Sequence, residues 1–187
     1  MERKKMAHAI GLIAWGYLFL YFNLNLGSLN LIPSWVGYLL MGKAIKELKE
    51  APPAMGLLGP LCILLAALEL WFWTLTLIGI NSQHYLLQLL SLLLAVAALY
   101  FHFQLLTNLV EALGRAGETW RKELLNLRTV RTVLAAVMAL PVLWKEHFAV
   151  TVILAIAGVL VGISISAVLF WIRNALFKSL CPAEEKE

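Results

Sequence analysis

The sequence predicts an all-α protein, a polytopic transmembrane helical bundle of about six spans with its N- and C-termini in the cytoplasm. The first observation is composition: 61% of the 187 residues are hydrophobic and 14% are charged, whereas soluble domains carry about 25% charged residues. The second is that the apolar residues gather in six long runs. The third is that the basic residues lie in short clusters between those runs, which indicates membrane topology.

Each apolar run is interpreted as a helix that crosses the bilayer, because about 20 apolar residues span its hydrocarbon core. The runs cover Ala7–Phe22, Leu31–Ile45, Leu57–Ile80, Tyr85–Leu106, Val130–Trp144 and Phe148–Ile172. The second and fifth are about 15 residues long, or roughly 22 Å at 1.5 Å per residue, which is less than the ~30 Å of the core. For these two runs, a re-entrant or interfacial segment is the alternative to a crossing.

The basic residues indicate how many runs cross, because cytoplasmic loops carry an excess of Lys and Arg. With six crossings and a cytoplasmic N-terminus, every basic residue except Lys145 falls on the cytoplasmic side. If the second run did not cross, the basic clusters in 43–49 and 115–131 would both move outside. We therefore predict six crossings, with residues 1–180 as one bundle and 181–187 as a polar cytoplasmic tail.

The longest loop contains an amphipathic segment, residues 117–131, directly before the fifth run. Apolar side chains share one helical face, and basic side chains lie largely elsewhere: Trp120, Leu124 and Leu127 against Arg121, Lys122 and Arg128. Such a segment is typical of a helix in the inner headgroup layer, and a solvated connector is the alternative. Trp35 is expected at the opposite interface, at the outer end of the second run.

Glu69 is the one carboxylate of the third run and lies near its middle. An ionisable residue at that depth is a functional-site hypothesis. The same helix face carries Cys62, Ala66 and Trp73, and small or polar residues mark a side that faces other helices. Because an ionised carboxylate is costly there, we expect a neutral or hydrogen-bonded group. A proton-coupled or cation-binding role and a purely structural hydrogen bond are both open.

Polar side chains on neighbouring runs complete a hypothetical ligand-binding site around Glu69. Gln88 and Ser91 share a face of the fourth run, and Tyr17 lies at similar depth in the first. A pathway that leads towards Glu69 is one interpretation, and hydrogen bonding between helices is the other. No Lys or Arg lies in the middle of a run, so no basic partner is expected for Glu69.

The sixth run contains three small residues spaced four positions apart, Gly158, Gly162 and Ser166. This spacing permits close backbone approach between two helices. We expect tight packing along this seam, either within the chain or between two copies of it.

The second run and the loop before it read NLNLGSLNLIPSWVGYLLMGKAIKEL. This segment resembles a loose group of small uncharacterised bacterial multi-span membrane proteins with the pattern Asn-x-Leu/Ile-Pro-Asp-Trp/Phe-x-Gly-Tyr-Leu. The matching residues are Asn30, Ile32, Pro33, Trp35, Gly37 and Tyr38. Ser34 stands where the group usually has Asp. The resemblance covers this segment alone and implies a location in the bacterial cytoplasmic membrane, without implying an activity.

Two functions agree with these features. The first is a small permease-like or carrier-like protein that binds a small molecule or ion at the hypothetical site. The second is a non-transporting membrane partner or scaffold subunit whose cytoplasmic face docks a protein or anionic lipid. No phosphate-binding glycine loop, HExxH or G-x-S-x-G motif occurs, so no enzyme activity, metal or cofactor is expected. Without a basic–aromatic groove pattern, nucleic acid is not expected as a partner either.

Overall fold

The computed structural model describes residues 3–21, 25–26, 29–30, 33–48, 54–79, 85–114, 118–139 and 148–179. Within these ranges the chain forms six α-helices and one small β-hairpin. The helices are α1 Arg3–Tyr21, α2 Ser34–Glu47, α3 Ala54–Leu77, α4 Tyr85–Leu113, α5 Glu118–Ala139 and α6 Phe148–Lys178. The hairpin lies between α1 and α2 and pairs β1 Asn25–Leu26 with β2 Leu29–Asn30 in antiparallel fashion. The predicted all-α helical bundle is confirmed.

Proline and glycine fix several helix ends. Pro33 comes directly before α2 with φ −71°, and its carbonyl accepts a hydrogen bond from the Val36 N–H at 3.1 Å. The missing N–H of proline costs nothing at this position, because the first N–H groups of a helix have no helical acceptor. Gly79 follows the end of α3 with φ +75°, and Gly114 follows the end of α4 with φ +49°. Glycine adopts such positive φ angles without a steric penalty.

The six helices form a closed ring in chain order. Each helix packs against the next one along the chain, and α6 returns to pack against α1. The α1–α6 pair is antiparallel, because Gly11 contacts Arg173 whereas Ala14, further along α1, accepts a hydrogen bond from the earlier residue Ser166 at 3.0 Å. The first and last helices of the chain are therefore neighbours in the bundle.

The buried core occupies only part of the length of the bundle. It draws mainly on α1, α2, the first half of α3, and the C-terminal parts of α4 and α6, and α5 contributes Leu124. The helices α4 and α6 are 29 and 31 residues long, whereas α1 and α2 have 19 and 14 residues. The two short helices consequently cover only part of the long ones. Beyond them α3, α4 and α6 expose apolar side chains such as Trp71, Leu86 and Ile153, and exposed apolar surface of this kind marks contact with a membrane or partner.

Three helices in the described ranges are long and apolar enough to cross a membrane: α3, α4 and residues Ala149–Lys178 of α6. They correspond to the third, fourth and sixth predicted spans. The helix α2, with 14 residues, is roughly 21 Å long at 1.5 Å per residue. Length and composition thus support a membrane protein, and the full set of six crossings stays a prediction.

The fifth helix differs from the sequence prediction. The sequence predicts an interfacial helix over 117–131 and a separate span over Val130–Trp144, whereas α5 runs without a break from Glu118 to Ala139. The physical reason is that residues 126–133 contain no glycine or proline that would end a helix. The remainder of the predicted fifth span and the tail 181–187 lie outside the described residues.

Candidate functional site

A buried polar cluster connects three helices in the core. The Nδ1 atom of His102, on α4, lies 3.1 Å from the hydroxyl oxygen of Tyr17 on α1. Its Nε2 atom lies 3.3 Å from the hydroxyl oxygen of Tyr38 on α2. The three side chains are at most 3% exposed, and we call them the Tyr–His–Tyr cluster. A buried polar group without a partner is costly, and here each ring nitrogen has one.

Two glycines bring the tyrosines to the same imidazole ring. Gly16 precedes Tyr17, and Gly37 precedes Tyr38. A Cβ atom at Gly37 would lie 2.7 Å from the Gly16 carbonyl oxygen, and one at Gly16 would lie 2.9 Å from the Gly37 carbonyl oxygen. Because glycine has no Cβ, the backbones of α1 and α2 approach closely here. Both tyrosine side chains can therefore reach His102 from adjacent helices.

Apolar contacts enclose the cluster. The ring of Phe101 packs edge-on against His102, with centroids 5.1 Å apart, and against Tyr38, with centroids 5.8 Å apart. Behind Tyr38, the Cys62 thiol donates to the Tyr38 backbone carbonyl at 3.0 Å and so links α3 to α2. In such a low-dielectric interior, hydrogen bonds are stronger than in water.

Charged side chains flank the cluster on two sides. On α5, the Nε atom of Arg131 donates to the Tyr21 hydroxyl at 2.9 Å, and the guanidinium carbon lies 6.0 Å from the centroid of the Tyr17 ring. On α3, the carboxylate of Glu69 is partly buried. Arg131 thus adjoins the Tyr–His–Tyr cluster, and Glu69 is carried by a helix that packs next to α2.

Arg131 faces the interior of the bundle. The sequence places this residue at the cytoplasmic end of the fifth span and expects no basic partner for Glu69, and both stay predictions. The structure shows the Nη1 atom of Arg131 buried and its Nε atom bonded to Tyr21 of α1. Because α5 is continuous through this region, Arg131 lies within the helix, on its inward side, and not at a helix end.

The Tyr–His–Tyr cluster can pass a proton between two helices. A neutral imidazole donates at one nitrogen and accepts at the other, and a tyrosine hydroxyl can do both. When one proton arrives at the Tyr38 oxygen and another leaves the Tyr17 oxygen, every bond in the chain reverses without a large movement of heavy atoms. Buried chains of this type serve as proton relays in membrane pumps and transporters.

The structure brings together only part of the predicted ligand-binding site. Tyr17 bonds to His102, and Glu69 is partly buried on α3. Gln88 and Ser91, in contrast, are exposed and line a separate groove of about 460 Å³ between α4 and the end of α5. Along α4, Ser91 and His102 are roughly 16 Å apart at 1.5 Å per residue. The groove and the cluster are therefore distinct places.

The small-residue seam of α6 faces two helices of the same chain. Gly162 lies against the ring of Tyr21 on α1, and Ser166 donates its hydroxyl to the Ala14 carbonyl. Gly158 faces α5, where the Cδ2 atom of Leu134 lies 3.7 Å from the position of an added Cβ. The close approach along this seam is made within the chain.

The predicted interfacial tryptophans each pack against a second tryptophan. Trp35 meets Trp73 of α3 with ring centroids 6.5 Å apart, and Trp120 meets Trp171 of α6 at 5.9 Å. The two basic residues next to Trp120 are exposed on α5: Arg121 and Lys122.

His102 is the central residue that sequence reasoning misses. It is the one histidine of α4. Its hydrogen-bond partners lie on other helices, so the spacing of residues along α4 does not indicate them. One signal does point to the arrangement. The tripeptide Gly-Tyr-Leu occurs twice, at Gly16–Leu18 and at Gly37–Leu39, and the two copies supply both the close backbone contact and both hydroxyls.

Comparisons of the chain with protein-family models, with curated proteins and with solved structures find no match. Among the residues that the structure describes, no group of three His, Cys, Asp or Glu side chains has the arrangement of a metal site. The described residues form a helical bundle with three apolar helices of membrane-spanning length and a buried Tyr–His–Tyr cluster.

Proposed function

We propose that the protein is a small permease-like or carrier-like membrane protein, in which protonation of the Tyr–His–Tyr cluster and Glu69 is coupled to the movement of a small ligand. We further propose that it lies in the bacterial cytoplasmic membrane, crosses it six times and keeps both termini in the cytoplasm. The length of three apolar helices and the distribution of basic residues support this topology.

The observation that carries the proposal is the position of His102 between two tyrosines. A structural hydrogen bond between helices requires one partner, whereas His102 has hydroxyls from α1 and α2 at its two ring nitrogens. Arg131 of α5 donates to the Tyr21 hydroxyl and lies 6.0 Å from the centroid of the Tyr17 ring. A change of protonation within the Tyr–His–Tyr cluster would therefore alter interactions among α1, α2, α4 and α5 at once, and this is the coupling that a carrier needs.

The first experiment is mass spectrometry of small molecules that co-purify with the chain in a mild detergent. We expect a retained compound in the wild-type protein and a reduced amount in Tyr17→Phe and Glu69→Gln. Proteoliposomes that contain a pH-sensitive dye and that compound then report whether its movement is accompanied by proton movement. The variant Tyr100→Phe is the matched control, because it removes the same hydroxyl from an exposed position on α4.

Two results would contradict the proposal. One is that no small molecule is retained by the wild-type protein and no proton movement occurs in proteoliposomes. The other is that Tyr17→Phe and Glu69→Gln behave like Tyr100→Phe in both measurements.

A second candidate function has its own supporting observation on the cytoplasmic side of the proposed topology. Arg121 and Lys122 are exposed next to the contact between Trp120 and Trp171, and basic residues beside interfacial tryptophans are typical of surfaces that bind anionic lipid. A non-transporting partner or scaffold would use this surface. If Arg121→Gln with Lys122→Gln abolishes association with anionic vesicles or a protein partner, while Glu69→Gln changes nothing, this second function replaces the first.

A further inference from the structure

Arg128 of α5 reaches into the interface with α4. Its Nη1 atom donates to the Thr107 hydroxyl at 2.9 Å, and its guanidinium carbon lies 4.3 Å from the centroid of the Phe103 ring. Its Nε atom is buried and has no acceptor within the described part of the chain. The guanidinium is thus held in position by a hydroxyl and an aromatic face, with one N–H group left unused.

Arg131 lies one helical turn further along α5 and reaches towards α1. Its Nε atom donates to the Tyr21 hydroxyl at 2.9 Å, and its guanidinium carbon lies 6.0 Å from the Tyr17 ring centroid. Its Nη1 atom is buried and likewise has no acceptor among the described residues. The two arginines therefore repeat one arrangement: a hydroxyl, an aromatic ring and a buried donor without a partner.

Within the described residues, no carboxylate forms an ion pair with either arginine. The ion pair of His8 with Glu47, at 2.8 Å, joins α1 to α2. A guanidinium stays protonated in proteins, and two like charges one turn apart on a helix repel each other. Both side chains are part-buried, and each has one buried nitrogen without an acceptor among the described residues. A buried donor without a partner is unfavourable, so the site is incomplete as the described residues form it.

We propose that Arg128 and Arg131 together bind an oxyanion, the carboxylate or phosphate group of a ligand, where α5 meets α1 and α4. Such an anion supplies both the missing acceptors and the missing negative charge, and guanidinium groups match the geometry of carboxylate and phosphate oxygens. The inference rests on the proposed carrier function, because it names the chemical class of the ligand that the carrier would move. The anion can bind to the two arginines whether or not the protein transports it.

Two sources present the same anionic chemistry to this site. One is the phosphate of an anionic phospholipid whose headgroup enters between the helices, and the other is a soluble anion. The full chain, purified in a non-ionic detergent, distinguishes them through its thermal unfolding midpoint. In one arm inorganic phosphate and acetate are titrated against chloride at equal ionic strength. In the other, phosphatidylglycerol is compared with phosphatidylcholine in mixed micelles.

We expect one of the two arms to raise the unfolding midpoint of the wild-type protein in a saturable way. Arg128→Gln and Arg131→Gln should each weaken that binding by about tenfold to a hundredfold, the effect of losing a hydrogen bond to a charged group. Arg131→Lys keeps the charge and loses the planar donor fork, so it should weaken binding less than Arg131→Gln. The matched control is Arg3→Gln, which removes an exposed arginine charge at the start of α1 and should bind like the wild-type protein.

The site is disproved if no probe raises the wild-type midpoint above its chloride or phosphatidylcholine reference. That measurement needs no variant, so it stands even where a substitution prevents folding. Equal responses of wild type, Arg128→Gln and Arg131→Gln would disprove it as well. Anion binding without proton movement in liposomes would end the transport proposal and keep this site. If a ligand moves together with protons and neither arginine substitution changes that movement, the transport proposal stands and the anion site is disproved.

Discussion

Gly162 of α6 lies directly against the ring of Tyr21 of α1, so closely that an added Cβ atom would overlap the ring. The hydroxyl of the same tyrosine accepts the hydrogen bond from Arg131 of α5. One aromatic side chain therefore joins the last helix, the first helix and the arginine that flanks the buried cluster. Tyr21 can pack against α6 because Gly162 has no side chain.

Replacement of Gly162 by alanine should lower the stability of the bundle, because the Cβ atom forces Tyr21 out of its position. Overpacking of this kind costs about 1–3 kcal/mol. The matched control is Gly158→Ala on the same helix, whose Cβ atom would make ordinary contact with Leu134 at 3.7 Å. Thermal unfolding in detergent, followed by circular dichroism, measures both. Equal midpoints for the two variants would show that Tyr21 does not depend on Gly162.

Removal of one hydroxyl from the Tyr–His–Tyr cluster should also destabilise the protein. Tyr17→Phe retains the ring and leaves the Nδ1 atom of His102 buried without a partner, which costs about 1–3 kcal/mol. Tyr100→Phe, at a position 53% exposed on α4, should change stability by less than about 0.5 kcal/mol. The same unfolding measurement distinguishes them, and a Tyr17→Phe protein as stable as wild type would mean that the hydroxyl is not needed by His102.

The six-crossing topology can be tested with reporters that are active on one side of the membrane only. A reporter fused after Ser82, in the segment between α3 and α4, should report the outside. One fused after Gly117, between α4 and α5, should report the cytoplasm, because the basic residues favour that side. If both fusions report the same side, α4 does not cross and the proposed topology fails.

The sequence predicts helices well here because each follows from a feature that acts locally. Apolar runs predict α3, α4 and α6, and Pro33 predicts the start of α2, which begins at the next residue. The boundary within 117–144 could not be predicted in the same way. Amphipathic and apolar stretches there are adjacent, and nothing between them breaks a helix, so backbone hydrogen bonding carries α5 through both.

The candidate site is less accessible to prediction, because it depends on which helix faces which. Tyr17 and Glu69 can be singled out by residue type and depth, yet Tyr17 bonds to His102 on α4. That pairing depends on how closely α1 and α2 approach, which is decided by two glycines far apart in the sequence. The same applies to Arg131, whose inward direction follows from the continuity of α5 and the position of Tyr21.

The thiol of Cys62 should be unreactive in the folded protein. It is 1% exposed, and it donates to the Tyr38 carbonyl at 3.0 Å, so a water-soluble maleimide has no access to it. In a chain that carries Cys181→Ser, we expect no labelling until a denaturing detergent is added. Glu118→Cys in the same background, at an exposed position on α5, is the positive control. Rapid labelling of Cys62 in the folded state would show that α2 and α3 separate readily.

Substitution of Gly37 by alanine should affect both the packing of α1 against α2 and the geometry around His102. Its Cβ atom would lie 2.7 Å from the backbone oxygen of Gly16, and a backbone atom cannot move aside as a flexible side chain can. The two helices must separate, which shifts Tyr38 relative to His102 and costs about 1–3 kcal/mol.

Gly59→Ala on α3 is the control for this substitution, since no atom lies within 4 Å of its Cβ position. Alanine favours a helix over glycine by about 1 kcal/mol, so this variant should unfold at an equal or higher temperature than wild type. Gly37→Ala should unfold at a lower temperature and lose the ligand retained by the wild-type protein. If Gly37→Ala retains wild-type stability and ligand, the close approach of the glycines is not what positions the two tyrosines on His102.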